Sequence, residues 1–532
     1  MTKYIFVTGG VMSGIGKGIV IASLGGLLKE SGLKITIKKM DPYLNIDSGT
    51  MNPFEHGETF VTRDGLESDL DLGHYERFAN IDTNKNSIIT SGKIYQNIFE
   101  KERNGVFLGK TVQMIPHVSN EMIEFIEKDS ENYDIILVEI GGTAGDIEAM
   151  IHMESIRQMI GRHGNKNVVN IHLTYIPYLK VSDEFKTKPA QDSIKRLMQL
   201  GIQPDIVVCR YETEDANTNF RSKIALFSNV KEKNIIMAPN INNIYKIPYL
   251  YFKQRFNKRV LLLLKLKNKL EKTKWSKIYK TLTDLKEVLT INIVVKYAYA
   301  DAYISLTESL KHAAYSINKD LKLNWIDART VNKEDLLEDL KKSKSAILVP
   351  GGFGESGIEN KIEAIKYARE NNIPFLGICY GMQLMTIEYA RNVLNIKNAT
   401  TAEVDPINNY PHIVHIINDK ETKLGGTMRL GDYSGEIKKK SLAEKIYKSN
   451  TFTERHRHRY EINTEYRPKL EKNGLIFTGT SGNEKYMEIV EIPKNTFCVG
   501  VQYHPEFNST VFKPNPMILA FIKAANIYSL QN

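Results

Sequence analysis

The sequence predicts an α/β protein with two doubly wound domains, and three observations lead to that fold class. A short apolar strand at residues 4–7 is followed by a glycine-rich loop and by a helical pattern that stops near Gly32. The same order of apolar strand, glycine turn and helix returns at residues 375–391. The chain has 532 residues, well beyond the size of one domain. We therefore expect an α/β domain in each half of the chain.

The bulk composition is that of an ordinary globular chain. Hydrophobic residues make up 42% and charged residues 25% of the sequence, as in typical folded domains. The net charge of +10 could indicate nucleic-acid binding, but no arginine-rich tract or alternation of basic and aromatic residues supports that interpretation. We attribute the excess charge to a lysine-rich surface and to phosphate-binding pockets, and expect no nucleic acid as a partner.

Membrane insertion and secretion are not expected either. The apolar run at residues 260–264 is far too short to span a bilayer, and the first strand begins without a signal-peptide pattern. The cysteines, Cys209, Cys379 and Cys498, are odd in number and widely spaced, so they do not indicate a disulfide framework. A reducing cytoplasm is the compartment that fits.

The first glycine-rich loop predicts a phosphate-binding P-loop. Residues 8–18 read Thr-Gly-Gly-Val-Met-Ser-Gly-Ile-Gly-Lys-Gly. In such a loop the backbone N–H groups and the helix N-terminus face an anion, and the lysine, here Lys17, reaches its oxygens. Gly18 stands where the standard pattern has Ser or Thr, so the usual hydroxyl ligand of Mg²⁺ is missing.

Carboxylates elsewhere must then hold the metal. The candidates are Asp71, in Asp-Leu-Asp-Leu-Gly-His-Tyr, and Glu139, near the end of an apolar strand at residues 135–140. A carboxylate at the C-terminal edge of a parallel strand points into the ligand crevice, where the Mg²⁺ of a bound nucleotide lies. Taken singly, each is better explained as a solvated surface acid.

Two further segments suit a second polyphosphate. A glycine-rich loop at residues 141–148 follows Glu139, and residues 186–191 read Lys-Thr-Lys-Pro-Ala-Gln. One P-loop lysine cannot neutralise two nucleoside triphosphates, so additional lysines are needed. By itself, a solvated run of charges is the more common explanation of such a segment.

In the second half, Cys379 is a candidate nucleophile. It lies at the turn of Gly-Ile-Cys-Tyr-Gly, where the start of the helix favours the thiolate. On this turn alone, a buried structural cysteine is an equally good interpretation. His504 and Glu506, in His-Pro-Glu after an apolar strand, supply a base and a carboxylate that orients it. The glycine loop at residues 351–354 offers backbone N–H groups for an oxyanion hole.

These segments, 346–354, 375–383 and 497–506, resemble the class I glutamine amidotransferase family. The resemblance implies a flavodoxin-like domain that hydrolyses glutamine through a glutamyl thioester and releases ammonia. The catalytic triad would be Cys379, His504 and Glu506. Glutamine contacts would be Gly352, Tyr380, Gly381, Met382, Gln383, Glu403 and Arg459.

The whole chain resembles the CTP synthase family in the order and spacing of its motifs, including residues 11–18, 38–43, 69–78, 112–117, 138–148, 186–191 and 223–227. The resemblance implies domains at 1–265, a dethiobiotin-synthetase-like synthetase, and 290–532, the glutaminase, joined by a linker at 266–289. It also implies ATP-dependent amination of UTP to CTP through a 4-phosphoryl-UTP intermediate, the last step of de novo pyrimidine nucleotide synthesis.

The nucleotide contacts implied by this resemblance fall into three groups. ATP contacts would be Gly14, Ile15, Gly16, Lys17, Gly18, Ile19, Asp71, Pro239, Asn240 and Ile241, with Lys39 nearby. UTP and CTP contacts would be Ser13, Asp146, Ile147, Glu148, Lys186, Thr187, Lys188, Pro189, Ala190, Gln191 and Lys223. Mg²⁺ would be held by Asp71 and Glu139.

The family resemblance also implies regulation and assembly. CTP would act as feedback inhibitor and GTP as activator, with residues 425–431 as the lid associated with GTP, and the chain would form a homotetramer. Four positions depart from the family pattern: Val295 and Asn360 replace glycines, Tyr380 replaces a leucine, and Pro239 replaces a frequent lysine. None of these removes a predicted catalytic group.

Two other functions remain open from the sequence. The P-loop and glutaminase pair would also serve an amidase that activates a carboxylate, although Lys223 and residues 186–191 have no evident role there. A catalytically silent, filament-forming homologue is the third possibility.

Overall fold

The chain folds into two units, each built on a large β-sheet. The computed structural model describes residues 1–47, 57–212, 220–296, 298–407, 409–417 and 428–531. The first unit contains Met1–Met51 and Asp71–Thr283, and the second contains Asn52–Leu70 and Asp284–Asn532. Within the described residues, no helix is both long and apolar enough to cross a membrane.

The first unit is built on a parallel sheet of seven strands. Two of its central strands are buried along their whole length, as expected when helices cover both faces. In spatial order the strands are Ile235–Pro239, Ile206–Tyr211, Val168–Ile176, Lys3–Gly9, Ile135–Ile140, Ile35–Asp41 and Ile88–Thr90. The helices are Lys17–Glu30, Leu70–Ala79, Ser91–Arg103, Ser119–Glu127, Met150–His163, Lys188–Gln199, Phe220–Ser228, Ile247–Lys253, Phe256–Leu263 and Trp275–Asp284.

The second unit is built on a mixed sheet of nine strands, five parallel and then four antiparallel. Their spatial order is Asp320–Asp327, Val288–Val295, Ala346–Val349, Phe375–Ile378, Cys498–Val501, Tyr486–Glu491, Ile476–Ser481, Arg429–Ile437 and Thr451–His458. Two hydrophobic cores contain the buried residues of this sheet and its helices. The helices are Ile304–Ser316, Lys333–Ser343, Ile358–Glu370, Tyr380–Asn392, Leu442–Tyr447, Arg467–Lys472 and Pro516–Gln531.

Three small sheets complete the described secondary structure. One pairs Thr400–Thr401, His412–Ile416 and Tyr460–Ile462, and another pairs Tyr178–Leu179 with Glu184–Phe185. The third is a hairpin of Phe60–Val61 and Glu67–Ser68. This hairpin lies within the second unit, although its sequence neighbours on both sides belong to the first.

The predicted fold class is confirmed, with parallel strands in the large sheet of each unit. The segment predicted as a linker contains the helix Trp275–Asp284. Trp275 is fully buried in the first unit and stacks on Phe78, with 5.7 Å between ring centroids. The domain boundaries at 265 and 290 stay a prediction.

Candidate functional site

The P-loop follows a strand that lies between two others, one of which carries Glu139 near its C-terminal end. Its strand, Lys3–Gly9, pairs with Ile135–Ile140 on one side and with Val168–Ile176 on the other. The loop ends at Gly16, whose φ of 98° is in the left-handed region that favours glycine. Lys17 begins the helix, and its Nζ donates a hydrogen bond to the carbonyl of Gly142 at 3.0 Å. The side chain therefore lies across the loop, as a phosphate-binding lysine must.

Asp71 and Glu139 converge on the first turn of the P-loop helix. A Cβ atom on Gly18 would lie 2.5 Å from Asp71 Oδ1 and 3.6 Å from Glu139 Oε2. The space that a Ser or Thr side chain fills in the standard motif is thus taken by the Asp71 carboxylate. This explains the glycine at position 18, which the sequence alone left as an anomaly.

The two carboxylates have different electrostatic surroundings. Burial opposes the charge of Asp71, but Lys39, which forms an ion pair with it, His74 and Lys17 outweigh burial and hold the pKa of Asp71 below its usual value. Burial and the neighbouring charge of Asp71 raise the pKa of Glu139 to about 7. Tyr75 donates a hydrogen bond to Glu139 Oε2 at 2.5 Å. Asp71 is thus charged at neutral pH, whereas Glu139 can gain or lose a proton there.

This pair fits a magnesium ion that is shared with a nucleotide. In the described part of the chain, no group of three or more His, Cys, Asp or Glu side chains is arranged to hold a metal by itself. Mg²⁺ is often held by only one or two carboxylates, with phosphate oxygens and water completing its shell. Asp71 Oδ1 and Glu139 Oε2, which both face Gly18, supply oxygen ligands that match that mode of binding.

An apolar pocket beside the P-loop is lined by residues predicted to contact ATP. Ile15, Gly16 and Ile19 line one side, and Pro239, Asn240 and Ile241 line another. Further lining comes from Val20, Leu173, Arg210, Met237, Ala238, Ile244, Ile247, Leu250 and Tyr251.

Arg210 holds two sides of this pocket together. It donates hydrogen bonds from Nε to Asn240 Oδ1 at 2.8 Å and from Nη1 to the carbonyl of Ile15 at 2.7 Å. Sequence reasoning missed Arg210, whose only signal is its place near the end of a parallel strand.

The residues predicted to bind UTP and CTP lie on two segments that follow neighbours of the P-loop strand. Asp146, Ile147 and Glu148 are exposed, in the loop after Ile135–Ile140. Lys186 pairs with Glu184, and the charge of Lys223 also acts on that carboxylate.

The other residues of this group surround the start of one helix. Thr187 and Gln191 are buried and hydrogen-bonded to each other at 2.9 Å. Lys188 is exposed and pairs with Asp192, Pro189 and Ala190 lie in the first turn of Lys188–Gln199, and Ser13 is exposed in the P-loop.

In the second unit, Cys379 lies at a strained turn between strand and helix. Its φ of 51° and ψ of −103° are rare for a residue with a side chain. The turn is tight: a Cβ on Gly377, in the strand, would lie 2.7 Å from the carbonyl oxygen of Gly381, in the helix. Strand and helix therefore meet at backbone distance, and Cys379 Sγ is presented at the end of the sheet.

His504 and Glu506 lie beside this cysteine. The Nδ1 atom of His504 is 2.7 Å from Glu506 Oε1. Burial opposes a charge on the imidazole, but Glu506 and Cys379 outweigh burial and raise the pKa of His504 to about 10. Because Nδ1 is occupied by Glu506, Nε2 is the atom left to interact with Cys379. The three predicted triad residues are thus together, in the order nucleophile, base and orienting carboxylate.

The predicted oxyanion loop lies against the base. A Cβ on Gly351 would be 2.8 Å from His504 Cε1, and one on Gly352 would be 3.6 Å from Tyr380 Cδ1. Tyr380 donates a hydrogen bond to the carbonyl of Gly354 at 2.8 Å. Tyr380, which stands where the family usually has leucine, therefore supports the loop through this hydrogen bond.

The remaining predicted glutamine contacts divide into two kinds. The backbone N–H of Gly354 donates to Glu403 Oε1 at 3.0 Å, and burial raises the pKa of Glu403 against the charges of Lys296 and Arg459. Met382, in contrast, packs in a hydrophobic core, and Gln383 is buried with its Nε2 on the carbonyl of Tyr460.

Lys361 is a buried charged residue that sequence reasoning missed. Its Nζ lies 5.4 Å from the ring centroid of Tyr380, below the oxyanion loop. Burial, with help from the charge of Lys296, lowers the pKa of Lys361 to about 8. Its sequence signal is only a lysine on a helix, Ile358–Glu370, with no chemical motif around it.

Part of the predicted lid, Gly425, Gly426 and Thr427, lies outside the described residues. Arg429, at the end of that segment, is buried and pairs with Glu461 and Glu488 at 2.8 and 2.9 Å.

Known protein families match nearly the whole chain. The family model for the CTP synthase N-terminus matches residues 3–266, and that for class I glutamine amidotransferases matches residues 298–524. A CTP synthase of Staphylococcus epidermidis is 50% identical over 534 residues, covering 99% of both chains. The chain belongs to the CTP synthase family. A CTP synthase of Bacillus subtilis is 48% identical, also with 99% coverage of both chains.

Among solved structures, the glutaminase domain of Trypanosoma brucei CTP synthase with bound acivicin is similar, with 36% identity. The match covers 45% of this chain and 94% of that one, with a TM-score of 0.43. Membership of the CTP synthase family confirms the expectation of a glutamine-hydrolysing ligase, and the carboxylate-activating and silent alternatives are set aside.

Proposed function

We propose that this chain converts UTP to CTP, using ATP to activate the pyrimidine and glutamine as the source of nitrogen. The observation that carries the proposal is the likeness to curated CTP synthases over 99% of both chains. It is supported by the geometry of the two units, one with a P-loop beside paired carboxylates and the other with a cysteine, histidine and glutamate together.

In the second unit, Cys379 attacks the side-chain amide of glutamine while His504 accepts the thiol proton. His504 then gives that proton to the leaving nitrogen, so ammonia departs and a glutamyl thioester remains. Glu506 keeps His504 in the tautomer and orientation required. Backbone N–H groups of the loop at Gly351 and Gly352 hold the oxyanion, and water then hydrolyses the thioester to glutamate.

In the first unit, the uracil O4 accepts the γ-phosphoryl group of ATP and ADP leaves. Ammonia then attacks C4, and inorganic phosphate leaves with the former carbonyl oxygen. Lys17 and Lys39 stabilise the charge of the phosphates, and the pocket at Pro239–Ile241 holds adenine. Asp71 and Glu139 would hold Mg²⁺, which neutralises and orients the phosphates when bound.

The remaining contacts follow the family resemblance. UTP and CTP bind Ser13, Asp146–Glu148, Lys186–Gln191 and Lys223, so CTP inhibits by competing for this site, and GTP activates. Assembly as a homotetramer is supported by large apolar side chains that this single chain leaves exposed in the first unit, including Phe99, Leu108 and Ile147. The enzyme acts in the cytoplasm, where free thiols such as those of this chain persist.

A steady-state assay tests the proposal. Purified protein with UTP, ATP, Mg²⁺ and glutamine should form CTP, ADP, phosphate and glutamate in equal amounts. Cys379→Ala should abolish glutamine-dependent synthesis and leave ammonia-dependent synthesis intact, whereas Lys17→Ala should stop both. Absence of CTP in the wild-type reaction with either nitrogen source would refute the proposal.

A further inference from the structure

The hairpin of Phe60–Val61 and Glu67–Ser68 packs against the elements that hold the proposed base. The ring of Phe60, which is only 1% exposed, lies edge-on to that of Phe507, with 5.2 Å between centroids and an interplanar angle of 72°. Phe507 in turn stacks on the imidazole of His504, at 5.3 Å and 21°. Both are preferred geometries of aromatic pairs, so one face of His504 is held through Phe507 by a residue of the hairpin.

Arg455 closes these contacts into a ring. Its guanidinium lies 5.2 Å from the centroid of Phe60, and its Nη1 donates to the carbonyl of Val61 at 3.1 Å. The backbone N–H of His504 donates to the carbonyl of Arg455 at 2.7 Å. His504 is therefore held at its backbone by Arg455 and at its ring by Phe507, and both of these residues rest on the strand Phe60–Val61.

The second strand of the hairpin is linked to Cys379 through Arg457. Glu67 Oε1 accepts a hydrogen bond from Arg457 Nε at 2.7 Å. The carbonyl oxygen of Arg457 lies 3.9 Å from Cys379 Sγ. Asp432 and Arg63 add a further pair at 2.8 Å between the hairpin and the neighbouring strand of the large sheet. The hairpin thus supports the surroundings of both members of the cysteine and histidine pair.

We propose that this hairpin is a positioning element of the glutaminase site, in which Phe60 fixes the plane of the His504 ring through Phe507. The proposal rests on the proposed function, in which His504 moves a proton to and from Cys379. Glu506 holds His504 only at Nδ1, so the ring could still tilt about that hydrogen bond. The stacked face of Phe507, backed by Phe60, stops this tilt and keeps Nε2 directed at the sulfur.

The test compares Phe60→Leu with Phe497→Leu. Both substitutions remove a buried aromatic ring from the second unit, but Phe497 packs on Phe521, at 5.9 Å between centroids, in the core of the unit. Phe60→Leu should lower kcat for glutamine hydrolysis roughly ten- to a hundredfold, as for a misplaced catalytic group, and leave KM for glutamine within about twofold. The control should show neither effect, and ammonia-dependent CTP synthesis should be unchanged in both variants.

Three further readouts separate positioning from general loss of structure. The pH dependence of Cys379 alkylation by iodoacetamide should change in Phe60→Leu and not in Phe497→Leu, because it reports the interaction with His504. Since Phe60 acts through Phe507, the double variant Phe60→Leu/Phe507→Leu should lose no more activity than the worse single variant. Glu67→Gln changes a partly exposed ion pair of the same hairpin and should slow glutamine hydrolysis. It replaces Phe60→Leu as the test variant if Phe60→Leu does not fold.

The outcomes distinguish this inference from the proposed function. If the wild-type chain releases no glutamate from glutamine, the proposed function fails. If it does, but Phe60→Leu behaves as Phe497→Leu in kcat and alkylation, or if the two losses add in the double variant, the positioning role of Phe60 is refuted alone.

Discussion

Gly18→Ala is the sharpest test of the phosphate site. The added Cβ would lie 2.5 Å from Asp71 Oδ1, about 0.9 Å inside the closest ordinary contact of a Cβ, 3.4 Å. Asp71 cannot yield freely, because Lys39 binds its other oxygen. The carboxylate must therefore turn away from Lys39 and from the space above the helix where it would meet the metal.

The size of the effect follows from the interaction that is broken. A charge-assisted hydrogen bond contributes about 1.5–3 kcal/mol, and loss of that amount from transition-state stabilisation corresponds to a roughly 10- to 150-fold fall in rate. We expect CTP synthesis to fall by this factor with ammonia as well as with glutamine as nitrogen source. Glutamine hydrolysis measured without nucleotides should be unchanged, since the substitution lies in the first unit.

Gly161→Ala is the matched control. Gly161 lies in the helix Met150–His163, and among the described residues a Cβ there would meet no atom within 4 Å beyond its chain neighbours and the backbone of its own helix. This variant should keep full activity and gain about 0.4–1 kcal/mol of stability through a less flexible unfolded chain. Wild-type CTP synthesis by Gly18→Ala, or an equal loss in Gly161→Ala, would refute the assignment of Asp71 to the nucleotide site.

Three other expectations concern single interactions. Glu506→Gln removes one of the two charges, those of Glu506 and Cys379, that raise the pKa of His504 to about 10 from 6.5. Protonation of His504 stabilises the fold fully below pH 6.5, and this contribution is lost as the pH rises through about 10. In urea titrations the difference in free energy of unfolding between wild type and variant should therefore be largest near about pH 6 and shrink towards about pH 10. Trp275→Ala should lower the free energy of unfolding of the first unit by about 3–5 kcal/mol, measured by urea denaturation, and an unchanged midpoint would mean that residues 266–289 act as a plain linker. Lys38→Met leaves three backbone carbonyls at the end of the helix Ser119–Glu127 without the Nζ donor that they share. The substitution should lower the free energy of unfolding by about 1–3 kcal/mol. An unchanged thermal midpoint would contradict this expectation.

The parts of the sites that the sequence predicted are those determined by local patterns. The P-loop and the turn at Cys379 each combine an apolar strand, glycines at fixed spacing and a helix, so their backbone shape follows from a short stretch of sequence. The strand Ile135–Ile140 was predicted with its observed bounds, because a run of apolar residues, here 135–138, is typical of a buried parallel strand. Glu139 at its end could therefore be placed in the crevice.

The parts that the sequence could not predict depend on pairs of residues far apart in the chain. Tyr75, Arg210 and Lys361 each act on a site through the contacts of one side chain, and no periodicity marks a lone polar residue on a helix or strand. The hairpin at Phe60 is the clearest case, since its partners Arg455 and Phe507 belong to the last part of the chain. Its residues fit an ordinary surface turn until the fold brings those partners to it.

The hairpin at Phe60 also bears on how the protein can be made. Phe60 is synthesised early, but Arg455 and Phe507, which pack on its ring, are among the last hundred residues. The Phe60 ring therefore stays exposed until synthesis of the chain is nearly complete. If the two halves were expressed as separate fragments, the C-terminal fragment would lack the hairpin that supports His504. Separate expression of the halves should therefore yield a glutaminase that becomes fully competent only when the front fragment is supplied in the same cell.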